Sequence, residues 1–442
     1  MGSASPEAAG AVGIEGSALK RARGPRQRQS LRHALGVLGP GLITGAADDD
    51  PSAIATYSAT GAQYGYGQLW TALWMLPLLT AVSEAAGRIG FATGQGLGAV
   101  MRQRYSVPVA RGVITLLVAA NVITIGADIG AVASAVQLVV PVPAPLLTVT
   151  FTAVVLALEI GLSYKRYAGV LKWFSLALLA YPISVLLVAE PWPAILRATF
   201  VPNIQLSPAF FYILTAVIGT TVSPYMFFWQ SSQEAEEDRA DGGRRSLRDL
   251  RLDNAAGMFA SQAAAWFIIV LAGTVLHGGG ITNINSAAQA AGALQPLVHT
   301  FPHAGEIAKG LFALGILGLG LLAVPVLAGS SSYAVSEEHG WKAGLDLKPK
   351  QGRRFYAVII AAMLVGLTLT LIGVNPIAAL VFASVFSGFA AVPVIWVIGR
   401  ISADRRVMGA ARGGWLSQVL IWATFAGTAA AALLIIVSLV HH

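Results

Sequence analysis

The sequence predicts an all-α integral membrane protein, and three observations carry that expectation. Of its 442 residues, 55% are hydrophobic and only 11% are charged, against about 25% charged in a soluble globular protein. Eleven apolar segments are long enough to cross a bilayer. The first and the sixth of these each carry a proline beside polar residues at mid-depth, Asp50-Pro51 and Ser223-Pro224. Matching interrupted helices in two halves point to a 5+5 inverted repeat, with its site between broken first and sixth helices. A simple proline kink is the plainer reading of either break taken singly.

Composition also removes function classes. The formal charge of +8 belongs to membrane topology, so no nucleic-acid partner is expected. Without cysteine there are no disulfides, thiolate metal sites or thiol chemistry. Met1 to His33 is polar and basic with no early apolar core, so it does not read as a cleavable signal peptide. Residues 1–34 are expected as a cytoplasmic basic tail and 35–442 as one transmembrane domain. His441 and His442 read as a tag remnant without functional weight. The expected location is the cell membrane, multi-pass, with the lipid bilayer as partner; the sequence sets no oligomeric state.

The spans fall at 36–59, 67–87, 110–139, 145–162, 168–189, 208–230, 255–276, 307–329, 355–373, 376–398 and 415–439. From a cytoplasmic N-terminus, the basic residues Lys20–Arg32, Arg88, Arg102, Arg104, Lys165, Arg166, Arg239–Arg251, Lys342–Arg354 and Arg400–Arg412 all lie inside. Only Arg197 and Lys309 fall outside, and one span more or fewer would scatter the pattern.

The first span holds Asp48, Asp49 and Asp50 directly before Pro51. Three ionised Asp facing lipid would cost roughly 8–10 kcal/mol, so they face protein or a watery cavity. Pro51 lacks a backbone donor and clashes with the preceding turn, which breaks the helix and frees carbonyls. Carboxylates and loose carbonyls at that depth describe a cation site centred on Asp50. Asp49 is expected in the same aqueous region, while Asp48 ligates or braces the break. Two close carboxylates seldom both stay ionised without a cation.

In the second span Glu84 stands one turn before Arg88 and reads as an ordinary i,i+4 pair. Asp128 of the third span serves either a proton or solvent route, or a helix-packing hydrogen bond. Pro141–Pro145 is a tight outer turn. Glu159 ends the fourth span near Lys165 and Arg166 and gets the same bland reading. After the sixth-span break, Gln233, Glu234, Glu236, Glu237 and Asp238 read as a solvated polar helix end or part of an inner vestibule. No histidine lies in mid-span, so imidazole neither binds metal nor relays protons there. The outer loops 190–207 and 277–305 are longer and contain Asn, Pro and Gly.

Certain stretches resemble a known family. Gly39-Pro40-Gly41, Asp50-Pro51, Ala55-Thr56 and Gly61-Ala-Gln-Tyr-Gly-Tyr66 closely resemble the first-span signature of the NRAMP divalent metal transporters. Gly87-Arg-Ile-Gly90, Thr93-Gly94, Thr124–Gly130 and Gly219–Ser232 are similar to its later motifs. The resemblance implies a LeuT-like fold with metal held between the broken helices. It also implies alternating-access transport of a divalent cation, with the ion as cargo and no cofactor.

Carried across, Asp50 matches the family's metal-binding Asp. The family's amide ligand is Ala53 here, its sixth-span thioether is Ser223, its imidazole is Tyr225, and its third-span acid is Ala131. The carbonyl ligand would come from Thr220. The expected metal ligands are Asp50, Thr220 and Ser223, with Asp49 added from its own position because the family is usually uncharged there, and with Ser52, Tyr225 and Met226 around them. Met226 is displaced from the site unless unwinding returns its sulfur. Asp128 and Asp48 remain as proton carriers, so coupling is expected to be weak or absent. Without sulfur the site suits hard cations, Mg²⁺ or Mn²⁺. The rival reading is a LeuT-like carrier of an amino acid or organic cation. An enzyme is not expected, because no nucleophile–base pair, His-rich motif or phosphate loop is present.

Overall fold

A computed structural model of the chain describes residues 44–45, 47–161, 179–188, 191–240, 246–295 and 303–440. The basic tail 1–34, the Gly39–Gly41 motif, Lys165, Arg166 and most of the fifth span lie outside the described residues. Every regular element among the described residues is helical.

The first span ends its inner stretch at Asp48, bends at Asp49 and restarts as α1, Pro51–Tyr64. Pro51 sits at N1, where its missing donor costs nothing, and Asp50 caps the end. Gly65, at φ 56°, stops the helix in a conformation that favours glycine. Next come α2 (Trp70–Thr93), the short α3 (Leu97–Arg104), α4 (Val107–Val136) and α5 (Ala144–Gly161). The segment α6 (Ala180–Leu187) belongs to the fifth span, and α7 (Trp192–Phe200) occupies the loop expected at 190–207.

The sixth span is α8 (Pro208–Thr221) and α9 (Pro224–Ala240). Val222 and Ser223 form the gap, because Pro224 cannot continue the ladder. Ser223 Oγ donates to the freed carbonyls of Thr220 at 2.7 Å and Gly219 at 3.1 Å. The helix runs ten residues beyond the expected end at 230. The remaining elements are α10 (Leu247–Leu271) with a π-helical turn at Ala272–His277, then α11 (Ala287–Gly292) and α12 (Ala304–His339). They are followed by α13 (Arg353–Leu371), α14 (Pro376–Ala403), α15 (Arg405–Met408) and α16 (Trp415–Val440).

Eight helical stretches among the described residues are long and apolar enough to cross a membrane. The second span, carried by α2, is not among them; it contains Glu84 and Arg88, with Pro77 inside the helix. Both breaks meet at the centre, where α1 packs against α8, α10 and α14. Small residues permit this closeness. A Cβ on Gly219 of α8 would stand 2.0 Å from the Ser384 carbonyl oxygen of α14.

The basic loops share one end of the bundle. Arg104 meets Asp404 at 3.7 Å, Arg111 meets Glu338 at 3.1 Å and Arg251 meets Glu84 at 2.8 Å. At the opposite end Asn375 Nδ2 donates to Asn285 O at 3.1 Å. Among the described residues, these basic loops therefore lie at one end and the 285 and 375 loops at the other.

Two bland readings are corrected here. Arg88 does pair with Glu84 at 3.3 Å, but it is fully buried and also donates to Ala411 O and Ser417 Oγ. It is thus a pin between α2 and the segment leading into α16, not a surface pair. The acidic run is only partly solvated: Gln233, Glu234 and Asp238 are buried and Glu236 and Glu237 half-buried, because α9 continues as a packed helix against α12.

Candidate metal centre

Asp50 owes its position to Pro51. The restart of α1 leaves unsatisfied amides, and Asp50 Oδ1 accepts from Ala53 N at 2.8 Å and Ser52 Oγ at 2.6 Å. Ser52 therefore braces the Asp50 carboxylate. Asp48 and Asp49 turn the other way. The Ser261 hydroxyl of α10 lies 2.9 Å from Asp48 Oδ2 and 3.3 Å from Asp49 Oδ1. All three carboxylates are buried, at 1–2% exposure. They do not converge: among the described residues no group of three or more Asp, Glu, His or Cys side chains is arranged around one metal position.

The sixth-span side supplies neutral oxygen. Thr220 O already accepts from Ser223 Oγ, and Thr220 Oγ1 is buried with no hydrogen-bond partner. Tyr225 OH donates to Ala47 O at 2.9 Å, joining the two breaks directly. Tyr57 OH and Thr221 Oγ1 share a second cross-link of 3.0 Å. Met226 is fully buried just past the break, its N–H on Ser223 O at 3.3 Å.

Asp128 of α4 is fully buried, and neither carboxylate oxygen has a hydrogen-bond partner. The backbone amide of Ser52 on α1 faces it. Asp128 lies within electrostatic reach of Asp50. One turn further along α4, Ala131 lines a cavity of about 280 Å³ between Pro51, Gln137, Asn285, Ser286 and Pro376. This cavity opens toward the end opposite the basic loops and reaches the break at Pro51.

Unpartnered Asp48 Oδ1, Asp128 and Thr220 Oγ1 thus surround the two breaks. Buried polar atoms ordinarily find partners, and these find none among the described residues. Every polar donor there is oxygen, from carboxylate, carbonyl or hydroxyl. Sequence reasoning missed Ser261. A lone Ser in an apolar helix is usually bonded to its own backbone, and only the packing of α10 on α1 turns it toward the carboxylates. It also missed Gln262, whose buried amide has no partner on either atom. Glu159 is buried with both oxygens unpartnered among the described residues. His277, at the end of its span, holds Ala62 O at 2.8 Å and stays clear of the breaks.

The family model described as natural resistance-associated macrophage protein-like, Nramp, matches residues 41–438. A protein named divalent metal cation transporter MntH from Deinococcus radiodurans is 26% identical over 426 residues, 92% of this chain and 91% of its own length. Its namesake from Ralstonia nicotianae is 27% identical over 417 residues, covering 91% and 90%. The fold is similar to that of the Eremococcus coleocola manganese transporter solved with an aromatic bis-isothiourea substituted compound. That likeness has a TM-score of 0.71 at 16% identity, over 94% of this chain and 88% of the other. A more distant likeness, TM-score 0.54 at 14% identity, is to MhsT solved with L-phenylalanine, over 94% and 100%.

Proposed function

We propose, since the chain belongs to the Nramp family, that it carries a hard divalent cation, Mg²⁺ or Mn²⁺, across the cell membrane by alternating access. Its relatives are named divalent metal cation transporters, and a structural neighbour is named a manganese transporter. These names favour a metal over the amino acid or organic cation of the rival reading.

The observation that carries the hard-cation reading is the all-oxygen donor set around the two breaks. Asp50 is the central ligand, with Asp49 and the Thr220 carbonyl beside it and Ser223 where the family places a thioether. Oxygen donors suit Mg²⁺ and Mn²⁺, whereas sulfur favours softer ions. Ala53 and Ser223 are small, and the room they leave fits an ion that keeps several waters. Tyr225 and Met226 support the break, Ser52 holds the Asp50 carboxylate, and Asp128 and Asp48 are the available proton carriers. With Ala131 and Tyr225 in place of titratable groups, proton coupling is weak or absent. The basic loops lie at the cytoplasmic end, and the cavity between Pro51 and Asn285 opens outside.

Calorimetry with Mg²⁺, Mn²⁺ and Cd²⁺ tests the reading. Cd²⁺ should bind more weakly than Mn²⁺, and Met226→Ala should leave both affinities unchanged. Cd²⁺ binding tighter than Mn²⁺ and weakened by Met226→Ala would overturn it.

A further inference from the structure

At the basic-loop end of the bundle, opposite the cavity, one hydroxyl holds three separate elements together. Tyr333 of α12 is buried, its ring edge-on to Trp229 of α9 at 6.0 Å and to Phe355 of α13 at 5.0 Å. Its OH donates to Glu236 Oε1 of α9 at 2.9 Å. It accepts from Gln233 Nε2, also of α9, at 3.1 Å and from the Leu345 backbone amide at 3.2 Å. A phenol has one proton to give and lone pairs for two donors, so its capacity is fully used.

Leu345 belongs to the 340–352 loop, which folds back beneath the bundle. Tyr356 OH holds the same loop through Leu345 O and Leu347 O. The loop lies so close that a Cβ on Gly344 would stand 2.8 Å from Glu236 Oε1. A second tie joins the same two helices, Ser232 Oγ to Glu337 Oε1 at 2.7 Å.

We infer that the Tyr333 hydroxyl is the inner latch of the transport cycle, fastening α9 and the 340–352 loop to α12 while the outer cavity is open. The inference rests on the alternating-access reading above. In that reading, an opening in which α9 moves away from the basic-loop end parts it from α12 or from the loop. Either movement breaks at least one bond to this oxygen. The ring contacts are apolar and survive sliding; the hydroxyl bonds are directional and do not. Tyr333 touches no cargo ligand, so it is a positioning residue.

The chain's lack of cysteine allows a direct test. Ala235, buried on α9, is changed to cysteine as a reporter in the full chain, reconstituted in vesicles without added metal. Maleimide labelling from the basic-loop side then measures opening. Tyr333→Phe keeps the ring and removes the hydroxyl, and should raise the labelling rate about fivefold, the population change for one buried hydrogen bond. Glu236→Leu should do the same. Glu236→Gln, whose carboxamide oxygen still accepts, should stay within about twofold. An unchanged rate in Tyr333→Phe overturns the latch; if that variant does not fold, an unchanged rate in Glu236→Leu overturns it alone. Because no metal is present, such a failure leaves the cargo assignment standing, and a failure of metal uptake leaves the latch standing.

Discussion

Asp50 has two duties that one pair of substitutions separates. Its Oδ1 caps α1 through Ala53 N and Ser52 Oγ, and its charge is proposed to hold the cation. Asp50→Asn keeps an oxygen in the capping position, so the helix start should lose a few tenths of a kcal/mol at most. Asp50→Ala removes the cap and should cost about 1 kcal/mol of stability. For the cation both variants remove the charge of the proposed central ligand. Losing one partner of a buried charge pair costs roughly 2–5 kcal/mol, which is about thirtyfold or more in affinity. Calorimetric titration with Mn²⁺, uptake by vesicles, and thermal unfolding in detergent together read both duties. Asp50→Asn should unfold like the parent and fail to take up Mn²⁺; Asp50→Ala should fail and unfold more easily. Normal uptake by Asp50→Asn would refute the ligand role. A loss of uptake that only follows the loss of folded protein in both variants would show that Asp50 is a cap and nothing more.

Other expectations follow from the same geometry. Gly219→Ala should destabilise by about 1–3 kcal/mol through overpacking on the Ser384 carbonyl. Gly112→Ala, where an added methyl meets nothing within 4 Å, should be neutral or stabilising by up to about 1 kcal/mol; melting curves compare the two. Tyr225→Phe deletes the 2.9 Å bond between the breaks and should cost about 0.5–1.5 kcal/mol, lowering uptake without changing the order of metal preference. In vesicles carrying a pH dye, Mn²⁺ uptake should proceed with little lumenal acidification. Acidification in step with uptake, lost in Asp128→Asn, would contradict weak coupling.

The breaks were legible in the sequence because proline enforces them locally: Pro51 and Pro224 each start a helix whatever surrounds them. The alternation of basic loops was legible because charge is excluded from the apolar core on either side. What stayed hidden depends on rotation and packing between helices. Nothing in 233–238 announces that Tyr333, a hundred residues on, will cover Gln233 and meet Glu236. Ser261 looks like any serine in an apolar helix until α10 is docked on the first span. Arg88 reads as half of a local pair, and only the approach of Ala411 and Ser417 makes it a buried pin. The 190–207 loop shows the same limit at smaller scale, since the helix Trp192–Phe200 inside it is only nine residues long and has a proline in its first turn.

The cavity that leads to Pro51 has no charged side chain among its lining residues, and that has a consequence for the rate of capture. A cleft lined by one sign of charge concentrates counter-ions and raises association by 10–10³-fold, an advantage that added salt erases. On the proposed route, with no charge lining the cavity among the described residues, cations would arrive by plain diffusion past Gln137, Asn285 and Ser286. Initial rates should therefore track the bulk concentration of the ion and vary little with ionic strength. Such an entrance suits an ion that is plentiful outside and gives no help in scavenging one that is scarce.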